Sequence, residues 1–153
     1  QLDALTDKTV VVVPTRSMPE ALAALVVYDA DEVAGLNAAA MTSAMDAVIT
    51  GEVTRAVRAS TSGIGPIAEG DWIGLAGADG IVAAAATMQD AATELLASIV
   101  GDAAELVTVI VGRDAEDHVT DQLISWLGEH HSGVHVDIQR GDQPLYPYLF
   151  GVE

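Results

Sequence analysis

Three groups of side chains carry the chemistry this sequence can offer. The first is Thr15, Arg16 and Ser17, which follow an apolar run of valines and precede a helix start. Free backbone N–H groups and the helix dipole attract anions at such a turn. A guanidinium beside them adds a paired donor suited to a carboxylate or phosphate. The same residues have a purely structural account, in which Ser17 caps the helix and Arg16 makes an ion pair. The second group is Arg55 and Arg58, conspicuous because the chain holds only six Lys and Arg against 23 Asp and Glu. Three residues apart on a strand, they point to opposite faces and form no single clamp without a bulge. One can pair with an acid of its own domain while the other reaches a partner; ordinary salt bridging is the simpler account. The third group is Tyr146, Tyr148 and Phe150, spaced by two and therefore on one face of a last strand. Pro147 removes a ladder donor from the other face, which predicts an edge strand. An aromatic row there serves either as a docking surface or as the cover of the domain's own core. These eight residues are the candidate ligand or partner contacts.

Other polar clusters have simpler explanations. His130 and His131 adjoin at a predicted helix end, with His118 and His135 nearby in sequence. A helix C-terminus favours cationic His, and no carboxylate stands at ligand spacing, so no metal residues are assigned. Asp114, Glu116, Asp117 and Asp121 crowd one helix start, where acids are favourable without any ligand. The stretch Gly63-Ile64-Gly65-Pro66 lacks the lysine of a phosphate-binding loop, and Pro66 removes a backbone donor. The chain has no cysteine, which excludes thiolate chemistry within it and fits a reducing cytoplasm. No residue is assigned a catalytic role.

The elements that position these groups follow from pattern. The 153 residues can bury one respectable core, and half of them are apolar, chiefly Ala and Val. A net charge of −17 argues against nucleic acid and anionic membrane surfaces as partners. No apolar run is long enough for membrane insertion. The first nine residues carry acids rather than a basic segment and an apolar one, so they do not read as a signal peptide. The chain starts without Met, which reads as a segment of a longer protein. A strand is predicted over 8–13, then a helix over 18–28 opened by Ser17, Pro19 and Glu20 as a capping box. A second helix is expected over 32–48 and a strand over 52–58. Residues 60–70 read as a loop with room for a short strand, and 71–76 with 81–85 as a hairpin. Thr87 and Asp90 open a helix to about residue 100. A buried strand over 106–111, a helix from Asp114 to about 130, and strands over 134–139 and 145–152 complete the order. The fold class is α/β, a mixed sheet with helices packed on it. Residues 1–49 form a strand and connecting helices of an incomplete first lobe, and 50–153 a compact lobe. A lone strand must pair with something: either it joins the main sheet or its neighbours lie outside this segment, and the second, favoured here, predicts an exposed edge that self-association, as a homodimer, would relieve.

Four segments taken together resemble the C-terminal region of the fatty acid kinase A family, whose members are dihydroxyacetone-kinase-like. They are Val11-Val12-Val13-Pro14-Thr15-Arg16-Ser17-Met18-Pro19-Glu20, Thr50-Gly51-Glu52-Val53-Thr54-Arg55-Ala56-Val57-Arg58, Gly70-Asp71-Trp72-Ile73-Gly74 and Gln143-Pro144-Leu145-Tyr146-Pro147-Tyr148. The resemblance implies a parent kinase with an N-terminal ATP-binding domain, a central domain and this C-terminal region. It implies ATP and magnesium for the parent and no cofactor for this segment, which by itself would not phosphorylate anything. It also implies a DegV-like, two-lobed fold and a separate acyl-binding DegV-type protein as partner, docked for ATP-dependent phosphorylation of its fatty acid in the cytoplasm. In DegV-type proteins hydroxyl residues at the turn comparable to Thr15–Ser17 approach the lipid carboxylate; Pro14 and Arg16 depart from that pattern. Two alternatives stand beside docking: a domain sensing a fatty acid or small carboxylate, and an enzyme related to dihydroxyacetone kinase or a phosphatase.

Overall fold

The computed structural model describes residues 9–153. The chain divides into two compact units, Gln1–Val48 and Ile49–Glu153. Among the described residues no helix is long and apolar enough to cross a membrane.

In the first unit, helices α1 (Met18–Val26) and α2 (Ala34–Ala47) pack on each other. The capping box forms as its spacing predicts. Ser17 Oγ accepts the Glu20 N–H at 3.3 Å, and the Glu20 carboxylate accepts the N–H groups of Ser17 and Arg16. Orphan donors at the helix start are thereby satisfied. Between the helices the chain turns through Asp29–Asp31, and Asn37, buried in α2, holds that turn. Its Oδ1 accepts the Asp29 N–H at 2.8 Å, and its Nδ2 donates to the carbonyls of Asp29 and Glu32. The residues this unit buries are few and mostly small: Pro19, Ala23, Ala24, Asn37 and Met45.

The valine run departs from expectation. Residues 9–16 carry no regular structure, and Val10, Val11, Val12 and Val13 pair with no strand among the described residues. Val12 is 72% exposed. Lys8, with which the predicted strand begins, lies outside the described residues. A strand exists only where a neighbour supplies complementary N–H and C=O groups, and β-branched composition does not replace that neighbour. Val11 and Val13 instead line a cavity of about 280 Å³ together with Tyr28, Asn37 and Met41.

The second unit is built on a six-stranded mixed sheet. Its strands are β1 (Ile49–Arg55), β4 (Trp72–Ala76), β5 (Gly80–Ala85), β6 (Leu106–Val111), β7 (His135–Arg140) and β8 (Tyr148–Val152), in the order β5-β4-β1-β8-β6-β7. Only β6 and β7 run parallel; the other neighbours are antiparallel. Between β1 and β4, β2 (Ser60–Ser62) and β3 (Gly65–Ile67) form a separate hairpin, so the region read as a loop carries two short strands. Helices α3 (Met88–Ile99) and α4 (Asp117–His130) contribute the other half of the core. Leu95, Leu96, Leu123 and Leu127 are fully buried with Val53, Val107, Val109, Tyr148 and Phe150. Each such leucine contributes about 1.5–3 kcal/mol of burial. The hairpin's Ile67 joins a smaller cluster with Ala56 and Ile73.

Three sequence expectations are corrected here. β1 runs Ile49–Arg55 rather than 52–58, and Gly51 lies within the strand instead of just ahead of it. A Cβ there would lie 2.7 Å from Ile99 Cδ1, so glycine is what lets α3 approach the sheet. Arg58 therefore lies beyond the strand, and the opposite-face argument does not apply to it. Secondly, α4 starts at Asp117 rather than being capped by Asp114; Glu116 holds the cap position without a side-chain bond to it. Thirdly, the last strand is not an edge. β8 lies between β1 and β6 and begins only at Tyr148. Pro147 precedes it, where its missing N–H leaves no gap in the ladder.

Candidate functional site

Strand directions bring most of the sequence-predicted site residues of the second unit to one edge of its sheet. The carboxyl ends of β1, β5, β6 and β7 and the amino ends of β4 and β8 meet there. Arg55 closes β1, and its register partner Trp72 opens β4. The guanidinium carbon lies 4.6 Å from the Trp72 ring centroid, a cation–π contact. α3 and α4 both start at this edge, since they follow β5 and β6. A shallow cavity of about 400 Å³ opens between them, lined by Arg55, Trp72, Met88, Asp90, Glu116 and His118. Two of its acids are engaged locally. Asp90 accepts the Thr87 hydroxyl at 2.6 Å, and Glu116 faces His118 at 3.6 Å.

The arginines separate into two classes. Arg113 lies 3.8 Å from Asp142, and Arg140 lies 3.3 Å from Asp117; both pairs are exposed. The guanidinium groups of Arg16, Arg55 and Arg58 have no carboxylate within 4.0 Å among the described residues. Among the described residues, salt bridging therefore does not account for Arg55 and Arg58. Arg16 lies in the first unit, exposed at the start of α1. Thr15 is half-buried, and its N–H donates to the Val13 carbonyl at 2.9 Å. Capping accounts fully for Ser17.

The aromatic row does not form a surface. Tyr148 and Phe150 are 0% exposed and stack with centroids 6.0 Å apart. The Tyr148 hydroxyl bonds to Thr120 Oγ1 at 2.8 Å and donates to the Glu116 carbonyl at 3.2 Å, tying β8 to the start of α4. Burial raises its pKa above that of a free phenol. Tyr146 is half-buried and outside the strand. His130 stacks on Trp126 at 4.6 Å and His131 tilts against it at 5.6 Å.

Sequence reasoning did not anticipate the segment between β7 and β8, residues 141–147. Gln143 turns inward there, where its Nε2 donates to the carbonyls of Ile110 at 3.3 Å and Tyr146 at 3.1 Å. Asp142 and Leu145 adopt positive φ, +50° and +73°. The available signal was the pair of prolines around Leu145, which marks a chain held away from regular pairing.

Residues 1–153 match, end to end, the family described as the C-terminal part of the A-like subunit of fatty acid kinase. This chain belongs to that family. Uncharacterized proteins of Staphylococcus aureus are similar to it over its whole length. Those of strains MRSA252, USA300 and NCTC 8325 are each 37% identical over 153 residues. The chain spans 28% of the length of each of these relatives.

Proposed function

We propose that this segment docks a DegV-type acyl-binding protein against its parent kinase, so that the bound fatty acid carboxylate meets ATP held elsewhere in the parent. The parent supplies ATP and magnesium, and this segment supplies position. Holding two reactants in register converts an encounter into a step within one complex, and misplacement alone abolishes turnover. The family supports the kinase context. The observation that carries the docking role is the apolar surface left open around α1. Leu22, Leu25, Val26, Val27, Tyr28 and Leu36 are each at least 39% exposed, and the Arg16 guanidinium before α1 has no carboxylate partner among the described residues. Several exposed apolar side chains near a cation are the kind of surface a protein contact uses.

The test is capture of the acyl-binding protein by the full-length parent with and without residues 1–153. Retention is expected only when the segment is present; undiminished capture after its deletion sinks the docking role. A second reading, sensing of a small carboxylate, is favoured by Arg55, which lines a cavity of about 400 Å³ without an acid partner among the described residues. A fatty acid or other carboxylate co-purifying with the parent, and lost on Arg55→Ala, would select it over docking.

A further inference from the structure

The crevice between the starts of α3 and α4 brings both signs of charge into one cavity. α3 follows β5 and α4 follows β6, and in the sheet those two strands are separated by β4, β1 and β8. The helices therefore leave the same end of the sheet from either side of β1. Crevices of this kind, outside the carboxyl ends of strands, are where sheets with helices on a face hold small molecules. At about 400 Å³ the cavity is at the small end of ligand sites, which extend to about 1,000 Å³.

Arg55 supplies the positive charge of the lining, and Asp90 and Glu116 supply two negative charges. Local contacts hold these groups apart, so that the Arg55 guanidinium has no carboxylate within 4.0 Å among the described residues. Arg55 rests over the Trp72 ring, and Asp90 is tethered through one oxygen by the Thr87 hydroxyl. Glu116 occupies the cap position of α4 but makes no side-chain bond to the helix. Its carboxylate faces His118 and stays in the lining.

This lining selects against the simplest ligands. A lone anion meets Arg55 but also two carboxylates, and a lone cation meets the guanidinium. Among the described residues no three His, Asp or Glu side chains are placed to hold a metal ion. A long alkyl chain finds little to cover, because the apolar lining is Trp72 with Met88 and Val119, and the last two are only 6% and 4% exposed. A small molecule that carries both charges satisfies every one of these conditions.

We propose that the cavity binds a small zwitterionic amino acid, its carboxylate on Arg55, its ammonium on Asp90 and Glu116, and its hydrocarbon part on Trp72. This rests on the second reading above, ligand sensing at Arg55, and gives the ligand a cationic group besides its carboxylate. A guanidinium holds a carboxylate through two parallel N–H donors, and an ammonium has three donors to share between the two acids.

Calorimetric titration of the full-length parent tests this with glycine, β-alanine, 4-aminobutyrate and 5-aminopentanoate, whose two charges lie progressively farther apart. Butyrate and butylamine are the single-charge controls. At least one amino acid should bind with Kd of about 1 mM or below, and at least tenfold tighter than either control. Arg55→Gln should weaken it at least tenfold. Asp90→Asn with Glu116→Gln should weaken it as much while strengthening butyrate, because the repulsion of a lone anion is gone. The melting temperature should not move, since the Asn side chain still accepts the Thr87 hydroxyl. Butyrate binding as tightly as the amino acids, and lost on Arg55→Gln, overturns the zwitterion site and leaves carboxylate sensing intact. Binding by none of the six probes overturns the zwitterion site, and the co-purification test then decides carboxylate sensing separately. Amino acid binding that survives both sets of substitutions lies elsewhere in the parent and overturns the proposal.

Discussion

Helices α1 and α3 begin with the same local chemistry and end with different fates. Each is opened by a hydroxyl cap with an acid three residues on, Ser17 with Glu20 and Thr87 with Asp90. α3 then buries Met88, Ala91, Ala92, Leu95, Leu96 and Ile99 among the side chains of the second unit. α1 buries only Pro19, Ala23 and Ala24, leaving Leu25 at 62% and Val26 at 84% exposure. Caps and propensity decide where a helix starts; they do not supply the surface that it covers. Most of a helix's stability comes from packing one face, so the two should respond very differently to truncation.

The sharpest way to break this comparison is a matched pair of substitutions. Leu96→Ala, at a fully buried position, should destabilise the second unit by about 2–5 kcal/mol in chemical denaturation. Leu25→Ala should stay within about 0.5 kcal/mol. Equal losses would mean that α1 is packed as tightly as α3 and would remove the contrast. A smaller effect is expected from Asn37→Ala, which deletes the three bonds holding the turn of the first unit. The loss should be about 1–3 kcal/mol. It should appear as faster hydrogen exchange and proteolysis around residues 29–37, with the sheet unaffected.

The smallest effect sharpens the contrast between the two faces of the sheet. Glu52 alternates with Gly51 and Val53, so it lies on the face away from α3, between Leu75 and Leu149 in register. Partial burial raises its pKa above the usual carboxylate range. The folded chain therefore keeps this proton to higher pH than the unfolded chain does. As pH rises, the unfolded state ionises first, so stability falls across the window from the unfolded to the folded pKa and is constant above it. Glu52→Gln should raise the melting temperature at neutral pH, and the gain should vanish below about pH 4. A gain independent of pH would place the cause in packing instead of charge.

How much of this was legible beforehand depended on the range of the signal. The capping residues Ser17 and Thr87 and the turn over 77–80 are read within four or five residues, and they appear where the pattern puts them. The mixed α/β class followed from the order of such elements. Gly51 sits inside β1 because its missing side chain makes room for Leu95 and Ile99 of a helix some forty residues away, which no local signal announces. Pro147 misled. It was read as part of an edge strand, yet it ends one residue before a central one. The candidate site was partly legible. Scarcity of positive charge singled out Arg55 and Arg58, whose guanidinium groups have no acid partner among the described residues. The aromatic spacing of two correctly placed Tyr148 and Phe150 on one face, but period alone does not say whether a face looks outward.

By itself the sequence determined where helices begin, which residues turn the chain, which side chains share a face, and the charge the surface must carry. These are settled by φ preferences, missing donors and side-chain hydrogen bonds over a few bonds of chain. Tertiary structure alone decided strand order, and with it the burial of Tyr148 and Phe150, the unpaired valines 10–13, and the inward turn of Gln143. Backbone groups of a strand can be satisfied only by another segment, and which segment does so is settled when the whole core is assembled.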